Sequence, residues 1–118
     1  MTCQLHEMRL EDQPFRKIRE GSKTVELRIN DVKRQKIGVF DLICFTNIHD
    51  GEKIRVRVLS RLDAPDFTSI YQQFPARILG YAPGEKADPR DMESTYPIES
   101  ILAYGAVAFE IGLVRPGL

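Results

Sequence analysis

The sequence has few of the side chains that build metal sites and disulfides. Its 118 residues include no tryptophan, two cysteines (Cys3 and Cys44) and two histidines (His6 and His49). Two cysteines give no disulfide framework, and we expect both to be reduced, buried thiols. The two histidines lie far apart and lack the spacing of zinc ligands. The sequence therefore predicts no metal site.

Long apolar runs are also missing. No segment reaches the roughly 20 apolar residues that span a bilayer, and residues 1–7 lack the basic start and apolar core of a signal peptide. We therefore expect a cytoplasmic protein with no membrane partner. The chain has no glycine-rich phosphate loop, dinucleotide fingerprint or Ser/His/Asp order, so no cofactor is expected. With 42% hydrophobic residues, this length predicts a single domain over residues 1–118.

The charges balance over the whole chain but not along it. Lys plus Arg and Asp plus Glu both number 17. Residues 9–36 carry nine basic and five acidic side chains, whereas residues 62–118 carry four basic and eight acidic ones. A basic half can attract nucleic acid or another polyanion although the molecule is neutral. Alternatively, folding mixes the two halves and leaves an ordinary charged surface.

Hydrophobic periodicity predicts about five strands and three or four helices. Alternating or apolar runs indicate strands over 3–9, 24–30, 41–48, 53–62 and 106–114. Caps and i, i+3, i+4 spacing indicate helices over 11–20 (with Asp12 as the cap), after Asp66, after Asp88 and over 95–104. Residues 30–38 are polar and basic and indicate a loop. Asp50-Gly51 predicts a hairpin between the third and fourth strands. These elements indicate an α+β fold, a small mixed β-barrel of five to six strands with flanking helices.

One segment, Gly21-Ser22-Lys23-Thr24-Val25-Glu26-Leu27-Arg28, could carry chemistry. Lys23 stands at the entrance of the second strand, and Glu26 and Arg28 project from one of its faces about 7 Å apart. A neutral amine beside a carboxylate is a plausible acid/base pair, and an arginine fork can hold a phosphate. The alternative is a solvated strand face whose ion pairs contribute little.

Two weaker signals could extend such a site. Arg55 and Arg57, in register with Lys53 and Arg61, form a basic stripe that could follow phosphates; it could equally be a solvated strand face. Four tyrosines could stack on bases. Tyr71 has the spacing of a core residue and Tyr81 is a loop candidate, whereas the sequence leaves Tyr96 and Tyr104 undecided.

The eight-residue segment resembles the Gly-x-Lys-x-x-Glu-x-Arg signature of the ASCH domain, a branch of the PUA-like superfamily. Further similarity covers most of the chain and lies in Pro14-Phe15, Asn30-Asp31, the run Asp41-Leu42-Ile43-Cys44-Phe45-Thr46-Asn47 and the closing Tyr104-Gly105-Ala106-Val107. The resemblance is to a small, single-domain, bacterial-type member. It implies a PUA-like β-barrel with a cleft beside the motif strand and a role in RNA binding, although some members deacetylate N4-acetylcytidine and one has been described as a ribonuclease.

The match to the deacetylating members is partial. Lys23 corresponds to their catalytic lysine, but they have threonine where this chain has Glu26. They also use a later glutamate, for which Glu85 is merely the nearest candidate here. A further departure is Phe40, which stands where the family usually has glycine.

The residues and the resemblance therefore favour three functions, ranked in the following order. The first is binding of RNA, a nucleotide or a nucleoside by Lys23, Thr24, Glu26 and Arg28, with Arg55 and Arg57 following phosphates. The second is a metal-independent hydrolase acting on RNA or a modified nucleoside, with Lys23 and Glu26 as catalytic residues. The third is an interaction domain without a ligand in the cleft.

Overall fold

The computed structural model describes residues 3–115 and contains one five-stranded sheet there. The strands are β1 (Leu5–Leu10), β2 (Val25–Ile29), β3 (Leu42–Asn47), β4 (Lys53–Ala64) and β5 (Ala106–Leu113). The helices are α1 (Asp12–Glu20), α2 (Val32–Gln35), α3 (Phe67–Tyr71), α4 (Ala76–Leu79), α5 (Ile98–Tyr104) and a 3-10 helix (Pro89–Ser94). Every predicted strand is present, which confirms the predicted α+β class.

The sheet is mixed, with the strand order β1-β3-β4-β5-β2. β1 and β3 are parallel, because α1, β2 and α2 lie between them in the chain and return it to the same end. The other neighbours are antiparallel, and β3 joins β4 through the predicted turn, where Gly51 has a φ of 79°. β1 and β2 are left as the two edges of the sheet.

A bulge in β4 bends the sheet into a curled half-barrel of the PUA-like type. β4 has 12 residues, and its register against β5 shifts between Val58 and Ser60. An extra residue on one strand increases the local bend and twist. The curl brings the edge strands β1 and β2 toward each other, and the polar residues of β2 face the opening between them.

Two hydrophobic clusters stabilise this shape. The concave side of the sheet is filled by α1 and by residues including Phe15, Phe45 and Phe109, all fully buried. The second cluster packs α3, α4 and α5 on the opposite face of β2 and β5, around Ile70. β5 supplies alternate residues to both clusters, as a central strand must.

The structure also corrects three local predictions. The single-turn helix α2 lies where the sequence indicated a loop, and α4 lies where no element was predicted, because one turn is too short to give a periodic signal. Asp12 does not cap α1: Glu11 is the N-cap, and the Asp12 carboxylate binds Arg16 and Asn47 instead. The last helix begins at Ile98, after Pro97, and so is three residues shorter than predicted.

Candidate functional site

A cleft of about 630 Å³ opens between the sheet edge and the helical segments that follow β4. Its floor comes from β2, one wall from the junction of β1 and α1, and the other wall from α3, the end of α4 and the 3-10 helix. Ligand sites in proteins commonly have volumes of roughly 300–1,000 Å³. The cleft therefore has the size of a small-molecule site.

Lys23 enters the floor of the cleft from the turn that ends α1. That turn is made by Gly21, whose φ of 89° belongs to the left-handed region that glycine adopts without strain. The Lys23 Nζ donates to the backbone oxygens of Val25 and Leu79, each at 2.8 Å, and lies 3.4 Å from Glu26 Oε1. The three hydrogens of the ammonium group thus have three acceptors.

The hydrogen bond between Lys23 and the Leu79 oxygen depends on Gly80, the next residue, which ends α4. Its φ is 109°, and a Cβ at this position would lie 3.1 Å from Lys23 Cδ. Any other residue would be strained and would crowd the lysine. The neighbouring Lys17 Nζ donates to the Gly80 oxygen at 2.6 Å, so two lysines hold the end of α4 against the cleft.

Glu26 lies at the centre of the floor and is 4% exposed. It is opposite Phe109 in the sheet, so its side chain is on the concave face. One carboxylate oxygen faces Lys23; the other accepts a hydrogen bond from Arg28 Nε at 2.9 Å and lies 2.9 Å from Arg28 Nη2 in an ion pair. The alternative of a solvated strand face is therefore wrong for Glu26 and Arg28.

Arg28 connects the two edges of the sheet. Its Nη2 also donates to the backbone oxygen of Arg9, at 2.9 Å, on the outer side of β1. The Arg28 side chain is 11% exposed. One residue thus forms part of the cleft floor and spans the opening of the half-barrel.

The floor perturbs the pKa of each charged group in it. Burial lowers the pKa of Lys23 below its usual value, although the charge of Glu26 opposes that change. Burial alone would raise the pKa of Glu26, but Arg28 and Lys23 outweigh it and hold the pKa below its usual value. Burial opposes the charge of Arg28, yet Glu26 and Tyr96 raise its pKa. Two cations thus share one carboxylate, which leaves positive charge in excess.

Three tyrosines line the wall opposite β1. The hydroxyls of Tyr71 and Tyr81 are 2.8 Å apart, and the Tyr81 hydroxyl donates to Asp91 Oδ2 at 2.7 Å. Burial and these two hydrogen bonds raise the pKa of Tyr81 above its usual range. Tyr96 stacks on Phe67 with the ring planes 8° apart. The wall therefore offers flat aromatic faces whose positions are fixed by neighbouring side chains.

The structure brings some of the predicted site residues together and separates others. Lys23, Glu26 and Arg28 share the floor. Thr24 is beside them but does not line the cleft; its backbone pairs with Ile78 and Ile111. Arg55 and Arg57 also lie outside the cleft. Arg55 is exposed, and Arg57 donates to the Phe40 oxygen.

Other cleft residues were missed or left open by the sequence. Arg9 and Asp91 line the cleft, and so does Glu85, beside Lys17. Tyr71 packs partly on the second cluster, as its spacing predicted, but it also reaches the cleft. Their roles depend on contacts between distant segments, so no local pattern marks them. Within residues 3–115, no three His, Cys, Asp or Glu side chains cluster as metal ligands.

The curled mixed sheet and its charged cleft define a domain of the PUA-like class. The model of the ASCH domain family matches residues 8–115, so the chain belongs to the ASCH domain family. Membership supports an RNA-binding or a hydrolase-type role at the level of the family and specifies no substrate. None of the helices in residues 3–115 has the length and apolar character needed to cross a membrane.

Two solved structures resemble the whole domain. The crystal structure of hypothetical protein PH0355 has 27% sequence identity and a TM-score of 0.81, covering 93% of this chain and 99% of that one. The solution structure of protein PF0455 from Pyrococcus furiosus has 28% identity and a TM-score of 0.69, covering 94% and 98% of the two chains. A search of curated proteins gave no match.

Proposed function

We propose that the cleft binds one nucleotide unit, either free or within RNA. The observation that carries this proposal is the buried Lys23–Glu26–Arg28 floor beneath a wall of three tyrosines. The floor carries one more positive than negative charge and Arg9 also lines the cleft, so an anionic group is attracted to this side of the cleft and away from its acidic residues. The tyrosine faces suit a base, because base–aromatic stacking depends little on sequence.

The test is a matched pair of tyrosine variants. Tyr96→Leu removes an aromatic face from the cleft, whereas Tyr104→Leu makes the same change at a half-exposed residue outside it. Base stacking contributes about 1–3 kcal/mol, so we expect Tyr96→Leu to weaken nucleoside monophosphate binding by about 5- to 150-fold. Calorimetric titration measures both variants. Equal affinities in the two would contradict the proposal, as would wild-type protein that no nucleotide stabilises against heat.

A hydrolase is the second candidate, because the cleft holds Lys23 and Glu26 in contact and Glu85 also lines it. A buried lysine with a lowered pKa can act as a base. Two features rank this candidate below binding. Each Glu26 oxygen already faces a cation, and its lowered pKa makes it a weak base near pH 7. The Lys23 ammonium is engaged by three acceptors.

Mass spectrometry distinguishes the two candidates. Wild type and Lys23→Ala are incubated with N4-acetylcytidine and with short single-stranded RNA in the presence of a chelator. Deacetylated cytidine or cut RNA that requires Lys23 would establish a metal-independent hydrolase. Intact substrates together with nucleotide binding would leave the binding function alone.

A further inference from the structure

A second groove, of about 460 Å³, continues from the cleft. Arg9 and Arg28 line both spaces, so the two are contiguous at the opening of the half-barrel. Five of its eight lining residues are basic, and one, Glu7, is acidic. The basic ones are Arg9, Arg28, Lys33, Arg34 and Lys53.

Two separate parts of the fold supply these cations. Strand pairing places Arg9, Thr46 and Lys53 in one row across β1, β3 and β4, and the Lys53 Nζ donates to the Thr46 hydroxyl at 3.0 Å. Lys33 and Arg34 come from α2. Asp31 fixes the start of α2, since its carboxylate accepts from the backbone and the guanidinium of Arg34.

Three of the five cations form no ion pair with any residue in the described range 3–115. Arg28 is paired with Glu26, and Arg34 with Asp31. Arg9, Lys33 and Lys53 are exposed and form no ion pair among residues 3–115. Such cations attract polyanions and release counterions when they bind phosphates.

The other sides of the cleft are acidic, in contrast to the basic groove. Glu11, Glu85 and Asp91 line it, whereas the groove beyond Arg9 and Arg28 is basic. Phosphates that continue from a bound nucleotide are repelled by the acidic residues and attracted along the groove. The charge distribution therefore gives a bound strand one direction in which to leave the cleft.

We propose that the ligand is single-stranded RNA, with one nucleotide in the cleft and its sugar–phosphate chain continuing through the basic groove. This inference rests on the proposed function, because it assigns the cleft to the nucleotide. It assigns the phosphate contacts to Arg9, Lys33 and Lys53, whereas the sequence pattern had indicated Arg55 and Arg57. Arg61, which belongs to the same stripe as Arg55 and Arg57, donates to the backbone oxygens of Arg34 and Ile37.

The test compares two double variants that remove equal charge from exposed residues. Lys33→Gln with Lys53→Gln changes the groove, and Arg55→Gln with Lys86→Gln is the control outside it. Fluorescence anisotropy measures an RNA octamer at several salt concentrations, with polyglutamate as a competitor. Calorimetric titration measures nucleoside monophosphates.

We expect the groove variant to lose two phosphate contacts. The slope of log K against log salt concentration for single strands is about −0.7 per contact, so it should become less steep by about 1.4. If the variant and wild type bind the octamer equally at 1 M salt, this change in slope makes the variant bind it about 25-fold more weakly than wild type at 0.1 M salt. Monophosphate affinity should stay unchanged, and the control should bind like wild type.

The outcomes separate this inference from the proposed function. If monophosphates bind and Tyr96→Leu weakens them, but the groove variant binds the octamer like the control, the groove inference is overturned and the cleft function stands. If the octamer depends on the groove and Tyr96→Leu has no effect, the groove stands and the cleft assignment fails. Loss of RNA binding in the Arg55 variant, or equal competition by polyglutamate, overturns the inference. Wild type that binds neither ligand overturns both.

Discussion

Replacing Glu26 with glutamine tests whether this carboxylate holds the cleft floor together. The substitution keeps the shape of the side chain and removes its charge. Lys23 and Arg28 then remain in the floor, 8% and 11% exposed, without an anion between them. Removing one partner from a buried ion pair leaves an uncompensated charge, which is strongly destabilising.

The distances give the magnitude. At an effective dielectric constant of 20, the attraction at 3.4 Å between Lys23 and Glu26 is about 5 kcal/mol, before desolvation is considered. Lys23 can instead release its proton, and because its pKa already lies below 10.5 this release costs less than about 5 kcal/mol at pH 7. Arg28 cannot lose its proton, but it keeps a hydrogen-bond acceptor in the glutamine. We therefore expect a net loss of about 3–5 kcal/mol in the free energy of unfolding.

The loss should depend on pH in a defined way. The lowered pKa of Glu26 stabilises the wild type above the usual glutamate pKa, and this stabilisation disappears as pH falls through the folded-state value. In the variant, the pKa of Lys23 falls further below 10.5. The variant therefore gains stability as pH rises through that lowered pKa, by up to about 1.4 kcal/mol per pH unit. The difference between the proteins should be largest near neutral pH.

Urea unfolding followed by circular dichroism measures this effect between pH 4 and pH 10. Glu11→Gln is the control, because it makes the same chemical change at an exposed residue of the same cleft; we expect it to stay within about 0.5 kcal/mol of wild type. If Glu26→Gln lacks a folded baseline at pH 7, the titration at pH 9 to 10 supplies the comparison. A loss below about 1 kcal/mol, or one that is constant with pH, would refute the reasoning.

Three further substitutions test the backbone and the cleft wall. Phe40→Gly should raise the free energy of unfolding, measured by urea titration, by about 0.5–1 kcal/mol. Phe40 has a φ of 74°, which glycine adopts without strain, and its side chain is 56% exposed, so little packing is lost. Gly105→Ala should lower the free energy of unfolding by at least about 2 kcal/mol more than Gly51→Ala does. Both glycines have a positive φ, but a Cβ at Gly105 would lie 2.7 Å from the Ala64 oxygen, whereas a Cβ at Gly51 would meet no atom within 4 Å. Tyr81→Phe should lower the melting temperature by an amount equivalent to about 1 kcal/mol, through its lost hydrogen bonds; a melting temperature equal to wild type would contradict this.

The strands were predictable because their signal is local. The alternation of Val25, Leu27 and Ile29 and the apolar run in β3 identify these strands directly, and Asp50-Gly51 identifies the hairpin. Alternation shows which residues share a face, but it does not show what that face meets. Glu26 and Arg28 are buried because the sheet curls, and the curl depends on the β4 bulge and on pairing between distant strands.

The site was predictable only in part for the same reason. The motif gave Lys23, Glu26 and Arg28, whereas the second carbonyl bound by Lys23 comes from Leu79, 56 residues away. The basic stripe on β4 was recognised as a pattern, but its members have different surroundings. Lys53 lines the groove, while Arg61 binds backbone oxygens that only the folded chain brings near it.

The hydrogen bond from Arg28 to the Arg9 oxygen also occupies a backbone acceptor on an edge strand of the sheet. β1 and β2 are edge strands, and unpaired backbone groups on an edge can recruit strands from other molecules into aggregates. Arg28 covers one such group on β1 with a side chain that also belongs to the cleft. Replacing Arg28 would therefore affect both the charged floor of the cleft and this edge of the sheet. A mutation that removes this hydrogen bond would leave the Arg9 oxygen without its Arg28 partner on the sheet edge, where a strand of another molecule could pair with it.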